Sequence, residues 1–128
     1  MIVGLGMDLV EVARVARLID SPSGERFLTR VFTRAERDFC DGVRDRATRY
    51  AARFAAKEAA SKALGVPRGI SFLDVEVVRK DGPPRLLLSG VAAQTAASLG
   101  VARTLLTLTH DGGVAGATVV LESSERTP

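Results

Sequence analysis

The hydrophobic positions in the first half of the 128-residue chain predict one strand followed by helices. An apolar run at residues 2–7 is typical of a buried strand, and an amphipathic pattern predicts a helix over about 10–19. Thr33 and Glu36 have the spacing of a capping box at the start of a short helix. A long helix is then predicted from about Thr48 to the residue before Gly65.

The second half of the chain predicts four further strands around one helix. Segments 74–80 and 85–88 read as a hairpin across a proline- and glycine-rich turn. A helix over about 91–99 leads to a strand at 104–110, and a turn at 111–113 precedes a last strand through residue 121. This order indicates an α+β domain at residues 1–122, with an antiparallel sheet backed by helices, followed by a loose tail at 123–128.

Asp8 ends the first apolar run and is the first candidate for chemistry. Gly4 and Gly6 in the same run allow another backbone to approach closely. An acid buried in such a strand needs a cation, a hydrogen-bond donor or a metal ion. The alternative is that Asp8 lies past the strand and caps the following helix. The residues alone leave both interpretations open.

The long predicted helix contains a second acid, Glu58, with Lys62 one turn later. At about 100° per residue both lie on an alanine-rich arc that we expect to be packed, while Arg53 and Lys57 point away from it. The alternative is an ordinary Glu–Lys pair on a solvated face, which stabilises a helix by only about 0.2–0.5 kcal/mol.

Composition restricts the class of protein. A chain with 46% hydrophobic residues can form one hydrophobic core. No apolar stretch approaches the ~18 residues of a membrane span, and no secretory signal precedes the first strand, so a cytoplasmic protein is expected. The single cysteine, Cys40, excludes an intrachain disulfide; acids flank it, and we interpret it as structural.

The positive charge of the chain is concentrated in its first half. The net charge is +3, with +4 in residues 1–68 and −1 in the remainder. Arg14 and Arg17 are expected on the exposed side of the first helix, where they suit an acidic partner. Aromatic residues make up only 5% and tryptophan is absent, which disfavours nucleic acid. A simple solvated face is the alternative for most of these arginines.

Four segments together resemble one family. Residues 6–15 (GMDLVEVARV) resemble its N-terminal Gly-x-Asp motif, and residues 54–62 (FAAKEAASK) resemble its second, more specific motif. Residues 107–110 and 115–122 resemble its last two strands. The pattern is that of holo-[acyl-carrier-protein] synthase, the short bacterial form of 4′-phosphopantetheinyl transferase. The similarity covers residues 1 to about 122 in the right order.

The resemblance implies a reaction and its site residues. The family transfers phosphopantetheine from coenzyme A to a serine of an acyl carrier protein, for fatty acid and in some cases polyketide synthesis, and releases 3′-phosphoadenosine 5′-phosphate. It implies a Mg²⁺ ion held by Asp8 and Glu58. Carboxylate oxygens are ligands that this ion prefers. Lys62 is then expected to neutralise the phosphates. Glu58 is the candidate acceptor of the serine proton, either directly or through a metal-bound water.

The resemblance also implies binding residues and an assembly. Coenzyme A is expected to contact Lys62, Arg53, Lys57 and His110, although a lone histidine on a strand is more often structural. Asp111 remains open between a turn residue and a third acid near the metal. Arg14, Arg17 and Arg44, with Arg53 as a further candidate, are expected to dock the acidic carrier protein. A homotrimer with active sites at subunit boundaries is implied. Pro67 stands where the family usually has more glycine.

Two functions of other classes also agree with parts of the sequence. A binding module for acidic partners would use the arginines, but gives no reason for two acids at packed positions. A metal-dependent hydrolase of nucleotides would use Asp8 and Glu58, and would consume coenzyme A without any carrier protein.

Overall fold

The strands of the computed structural model, which describes residues 1–124, form two antiparallel sheets. The first sheet has the order β1 (Ile2–Glu11), β5 (Val114–Ser123), β4 (Val101–Asp111), and the second pairs β2 (Val75–Val78) with β3 (Arg85–Leu88). The helices are α1 (Val12–Asp20), α2 (Gly24–Val31), α3 (Arg34–Asp41), α4 (Arg46–Ala63) and α5 (Gly90–Ser98), and a 3₁₀ turn at Phe72–Asp74 precedes β2. The predicted α+β class is confirmed, with the strands divided between two sheets.

Strand β1 continues beyond the predicted apolar run. Asp8 pairs with Ala117 inside the strand, and the N-cap of α1 is Glu11. The interpretation of Asp8 as a helix cap is therefore wrong. The reason is that pairing with β5 continues through Glu11, three residues past Asp8.

The predicted capping box at the start of α3 is confirmed. The Thr33 hydroxyl accepts from the Glu36 backbone N–H at 3.3 Å, and the Thr33 N–H donates to Glu36 Oε1 at 2.9 Å. Helix α4 begins at Arg46, two residues before Thr48, and α2 has no counterpart among the predicted segments.

The end of the first sheet differs from the predicted tail. Ser123 belongs to β5, and its N–H donates to the Met1 carbonyl at 2.7 Å. Pairing with the start of β1 therefore extends the ordered domain past residue 122. Residues 125–128 of the predicted tail lie outside the described residues.

Helix α4 packs directly on the backbone of β1. A Cβ atom added at Gly6 would meet the carbonyl oxygen of Ala59, and one added at Gly4 would meet that of Ala63. The expectation that these glycines admit a neighbouring backbone is confirmed. The contact places the middle of β1, and Asp8 with it, beside the last two turns of α4.

The opposite face of the first sheet is open and apolar. Leu5, Met7 and Leu9 on β1 are each more than 60% exposed, and Leu105 on β4 is 40% exposed. The register sets Leu5 and Leu105 in one row across Val120 of β5. The first sheet thus has one face covered by α4 and one face that lacks any cover from the described residues.

The β4–β5 hairpin closes through the predicted glycine turn. Gly112 and Gly113 have φ values of 57° and 82°, the left-handed pair that a type I′ turn requires. The Gly113 carbonyl accepts from the first N–H of α1, Val12, at 2.9 Å. This bond ties the end of the hairpin to the point where β1 becomes α1.

Among the described residues, no helix has the length and hydrophobicity to cross a membrane.

Candidate active site

Asp8 and Lys62 meet where β1 contacts α4. Lys62 Nζ lies 3.0 Å from Asp8 Oδ1 and donates to the Met7 carbonyl at 3.1 Å. The side chain of Asp8 is 18% exposed and that of Lys62 is 50% exposed. The acid in the strand has therefore found the cation it requires, and both groups remain accessible to a ligand.

Glu58 completes this group one turn earlier on α4. It is half-buried, and among residues 1–124 it makes no ion pair or hydrogen bond. The alternative interpretation, a Glu58–Lys62 pair on a solvated face, is wrong because Lys62 turns to Asp8 instead. Burial raises the pKa of Glu58, the negative charge of Asp8 raises it further, and the positive charges of Lys62 and Arg14 act in the opposite direction.

Lys57 lies beneath the surface rather than on an open helix face. Its Nζ contacts Glu36 Oε1 at 2.8 Å and donates to the carbonyls of Phe72 at 3.0 Å and Val75 at 2.6 Å, with both charged side chains 0% exposed. These contacts use all three ammonium donors. The expectation that Lys57 contacts coenzyme A is therefore wrong, because no N–H donor of its ammonium is left for a phosphate. Burial lowers the pKa of this ammonium, and Glu36 opposes that shift.

Glu36 is fully hydrogen-bonded as well. In addition to Lys57 and the Thr33 N–H, it accepts from the Val77 N–H through Oε2 at 2.9 Å. One buried ion pair thus joins α3, α4, the 3₁₀ turn and β2. The sequence pattern indicates only the capping role of Glu36 and gives no sign of its pairing with Lys57.

Arg53 is also buried, at 2% exposure, and the expectation that it points to an open face is wrong. Its guanidinium stacks over the Phe39 ring at 4.2 Å, and Cys40 beside it is fully buried. Burial raises the pKa of the Cys40 thiol to about 12, which fits a structural cysteine. The structure does not bring Arg53 to Asp8 and Glu58, and its contact with coenzyme A stays a prediction.

His110 and Asp111 lie at the end of β4 that faces α1. His110 pairs with Ala115 and Asp8 with Ala117, so the two residues are separated by two strand spacings across the sheet and by two residues along it, about 12 Å in all. Both His110 and Asp111 are exposed. Among the described residues, no three His, Cys, Asp or Glu side chains form a metal-binding group. A role for either residue stays a prediction.

The three arginines expected to bind the carrier protein occupy different places. Arg14 is exposed on α1 and interacts electrostatically with Glu58. Arg17, on the same helix, pairs with Glu11 at 3.5 Å in the solvent. Arg44 lines a shallow pocket at the other end of α1, beside Ile19 and Asp20. Of these three arginines, only Arg14 lies close enough to Glu58 to influence its pKa.

An aromatic groove begins beside Arg14 and was not predicted. It encloses about 730 Å³ and has Phe27, Phe54 and Phe72 among its lining residues. The Phe54 and Phe72 rings stack at 5.5 Å. Arg26 and Arg30 join Arg14 along it. The phenylalanines lie far apart in sequence, and the one related signal was the excess of positive charge in residues 1–68.

The pKa of Glu58 leads to a prediction for the ligand-free protein. Because the folded-state pKa lies above the unfolded one, the ionised carboxylate reduces stability above the folded pKa, and this cost is absent below the unfolded pKa. Glu58→Gln should therefore raise the melting temperature at pH 7.5, and the difference should vanish as the pH falls to about 4. Thermal denaturation in metal-free buffer measures both. Glu25→Gln, at an exposed acid, is the control and should give no stabilisation; a gain for Glu58→Gln that is equal at both pH values would contradict the assignment.

Comparison with known proteins identifies the family of this chain. Residues 4–117 match the 4′-phosphopantetheinyl transferase superfamily. The chain is 68% identical to the holo-[acyl-carrier-protein] synthase of Anaeromyxobacter sp. (strain Fw109-5), over 98% of both chains.

Two solved structures agree with this match. Holo-(acyl-carrier-protein) synthase of Bacillus anthracis, in complex with coenzyme A (3′,5′-ADP), is 36% identical with a TM-score of 0.78, over 97% of this chain and 99% of that one. The Helicobacter pylori synthase in complex with coenzyme A is 30% identical with a TM-score of 0.79, over 92% and 99%. The match over residues 4–117 and the identity over nearly the full length show that this chain belongs to the holo-[acyl-carrier-protein] synthase family of the 4′-phosphopantetheinyl transferase superfamily.

Proposed function

We propose that this protein transfers 4′-phosphopantetheine from coenzyme A to a serine hydroxyl of an apo acyl carrier protein. The observation that carries the proposal is the group of Asp8, Glu58 and Lys62 at the contact of β1 and α4, in a chain that is 68% identical to a holo-[acyl-carrier-protein] synthase. The group combines two carboxylates with one ammonium at an accessible place. A phosphoryl-type transfer needs these functions, because most of its catalysis is positioning and charge neutralisation.

The reaction is a displacement at phosphorus. The serine oxygen forms a bond to the phosphorus that carries the pantetheine arm, and the bridging P–O bond of the pyrophosphate breaks to release 3′-phosphoadenosine 5′-phosphate. Glu58 accepts the serine proton, either directly or through a water molecule. Lys62 supplies positive charge to the phosphate oxygens.

The donor set of the site fits a magnesium ion. Asp8 and Glu58 are carboxylates on adjoining elements, and the charge of Asp8 raises the pKa of Glu58, a repulsion that a divalent cation relieves. When bound by these two residues, Mg²⁺ would neutralise the pyrophosphate of coenzyme A. His110 and Asp111 are further proposed contacts for coenzyme A and for the ion, respectively.

The first experiment is intact mass spectrometry of an apo acyl carrier protein incubated with this protein, coenzyme A and Mg²⁺. We expect the carrier to gain one phosphopantetheine, and a chelator or Glu58→Gln to reduce the rate at least about 100-fold. Asp38→Asn, at an exposed acid on α3, is the matched control and should remain active.

Three results would each contradict part of this proposal. Consumption of coenzyme A without a carrier would favour a hydrolase. No transfer to any carrier would favour the binding module. Full activity in the chelator would exclude the metal.

Docking of the carrier protein is proposed at the groove beside Glu58. Arg14, Arg26 and Arg30 give this groove positive charge, and its phenylalanines give it an apolar lining. Acidic carrier proteins suit such a surface, since complementary charge steers association while apolar contacts hold the complex. Arg17 and Arg44 lie outside the groove lining and would add to steering.

Charge reversal tests this docking surface. Arg14→Glu should raise KM for the carrier protein about tenfold or more, because it places a negative charge at the groove, while KM for coenzyme A should change far less. Steady-state kinetics with each substrate varied in turn measures both constants. Arg34→Glu makes the same charge change on exposed α3 and should have little effect. Equal increases in both constants for Arg14→Glu would contradict the assignment.

A homotrimer is proposed to cover the open face of the first sheet. Leu5, Met7 and Leu9 follow one another on the same face of β1 and are all exposed, and a contiguous apolar patch of this kind is typical of an interaction surface. Closed symmetric assembly buries such a patch on every copy. The family implies that active sites then lie at subunit boundaries.

A single charge in the exposed face tests the assembly. Sedimentation should give three times the 13.6 kDa monomer mass for the unmodified protein, and Leu5→Glu should give monomers because it would bury an unpaired carboxylate at each interface. Leu87→Glu, at a leucine on β3 with similar exposure, should leave the trimer intact. A Leu5→Glu trimer would place the interface elsewhere.

The expected cytoplasmic location and service to fatty acid or polyketide synthesis stay predictions. Both follow from the family, and identification of the carrier proteins modified in cell extract would address the second.

A further inference from the structure

The buried Lys57–Glu36 pair links residues 70–75 to α4 by polar contacts, beside the apolar stacking of Phe72 on Phe54. Two of the three Lys57 contacts are to backbone carbonyls, of Phe72 and Val75. The other hydrogen bonds of this segment are local, belong to the β2–β3 pair or lead to the start of α5, where the Asp74 carbonyl accepts from the Ser89 N–H at 2.8 Å. Lys57 is therefore the polar link between residues 70–75 and the helix that carries Glu58.

Residues 70–72 form a wall of two adjoining spaces. One is a small cavity of about 80 Å³ that Glu58 and Ser61 line from the other side. The second is the aromatic groove with Arg14, where Phe72 stacks on Phe54. A displacement of this segment would change the width of both spaces together.

We propose that Lys57, held in place by Glu36, is a positioning residue that fixes the 70–75 wall against α4 at the distance the carrier serine needs to reach Glu58. The inference rests on the proposed transfer function. Lys57 touches neither substrate, because its donors are all used within the protein. It acts through the wall, whose residues 70–72 face Glu58 across the small cavity.

The geometry separates the two substrates. Asp8 and Lys62, the groups proposed to meet the pyrophosphate, make no side-chain hydrogen bond or ion pair with residues 70–75 in the part of the chain that the structure describes. Loss of the Lys57 link should therefore affect the carrier protein more than coenzyme A. Misplacement of reacting groups by about 1 Å can reduce a rate by about 100-fold.

The test compares two variants with a control. Lys57→Met removes the link but leaves Glu36 buried without its partner, so it is expected to lower the melting temperature. The double variant Lys57→Met/Glu36→Gln leaves no charge at this buried site and should recover part of that stability without restoring the link. Arg37→Met removes the neighbouring ion pair between Arg37 of α3 and Glu25 of α2, and the Arg37 side chain donates to Glu25 and Thr29 rather than to residues 70–75.

Kinetics and hydrogen exchange are measured below the melting temperature of each protein. For the double variant we expect kcat to fall at least about tenfold, KM for the carrier to rise and KM for coenzyme A to stay within about twofold. Amide exchange at residues 70–75 should become faster. Loss of folded molecules alone would lower kcat and leave both KM values unchanged, and Arg37→Met should resemble the unmodified protein.

Two outcomes would overturn the inference. A stable double variant with unmodified kcat and KM values would make the pair merely structural. Unchanged exchange at residues 70–75 would show that Lys57 does not hold the wall. If the unmodified protein transferred no phosphopantetheine, the proposed function would be wrong. The amide exchange of residues 70–75 would still show whether Lys57 holds this segment.

Discussion

The close contact between the glycines of β1 and the alanines of α4 sets the geometry of the site. Gly4 and Gly6 leave space that the carbonyls of Ala59 and Ala63 occupy, so the helix axis lies nearer to the sheet than larger side chains would permit. At this distance a lysine one turn beyond Glu58 reaches an aspartate in the middle of the strand. The glycines and alanines therefore allow Lys62 to reach Asp8, because they determine how closely α4 approaches β1.

A helix that packs through alanine gains little from each buried side chain. Burial of apolar area contributes about 25 cal/mol per Å², and alanine offers little area. The orientation of α4 must then depend on other contacts, among them the buried Lys57–Glu36 pair and the Tyr50 hydroxyl, which donates to Asp41 at 2.9 Å. A buried pair is weak evidence for net stability. Its complete hydrogen bonding nevertheless gives α4 one defined rotation.

The sequence predicted the local features and missed the contacts between distant segments. The glycines, the capping box and the hairpin turns carry their own signals, and each appears in the structure. The directions of Arg53 and Lys57 were misjudged because helical spacing gives relative angles but does not say which elements cover each face. The second role of Glu36 and the groove of Phe27, Phe54 and Phe72 depend on pairings across more than 15 residues. The family resemblance supplied Asp8 and Glu58 as a pair; the residues alone had left each one open.

The open face of the first sheet has a consequence for how the enzyme responds to dilution. Under the proposed assembly, subunits that share an active site are competent only while associated, so the competent fraction follows the law of mass action. Specific activity would then be constant at high protein concentration and decline steeply once the trimer dissociates. Coenzyme A bound across the boundary would oppose that decline, because a ligand that binds only the assembled form stabilises it. The apolar rows of β1 would in this way make the activity depend on how much of the protein the cell contains.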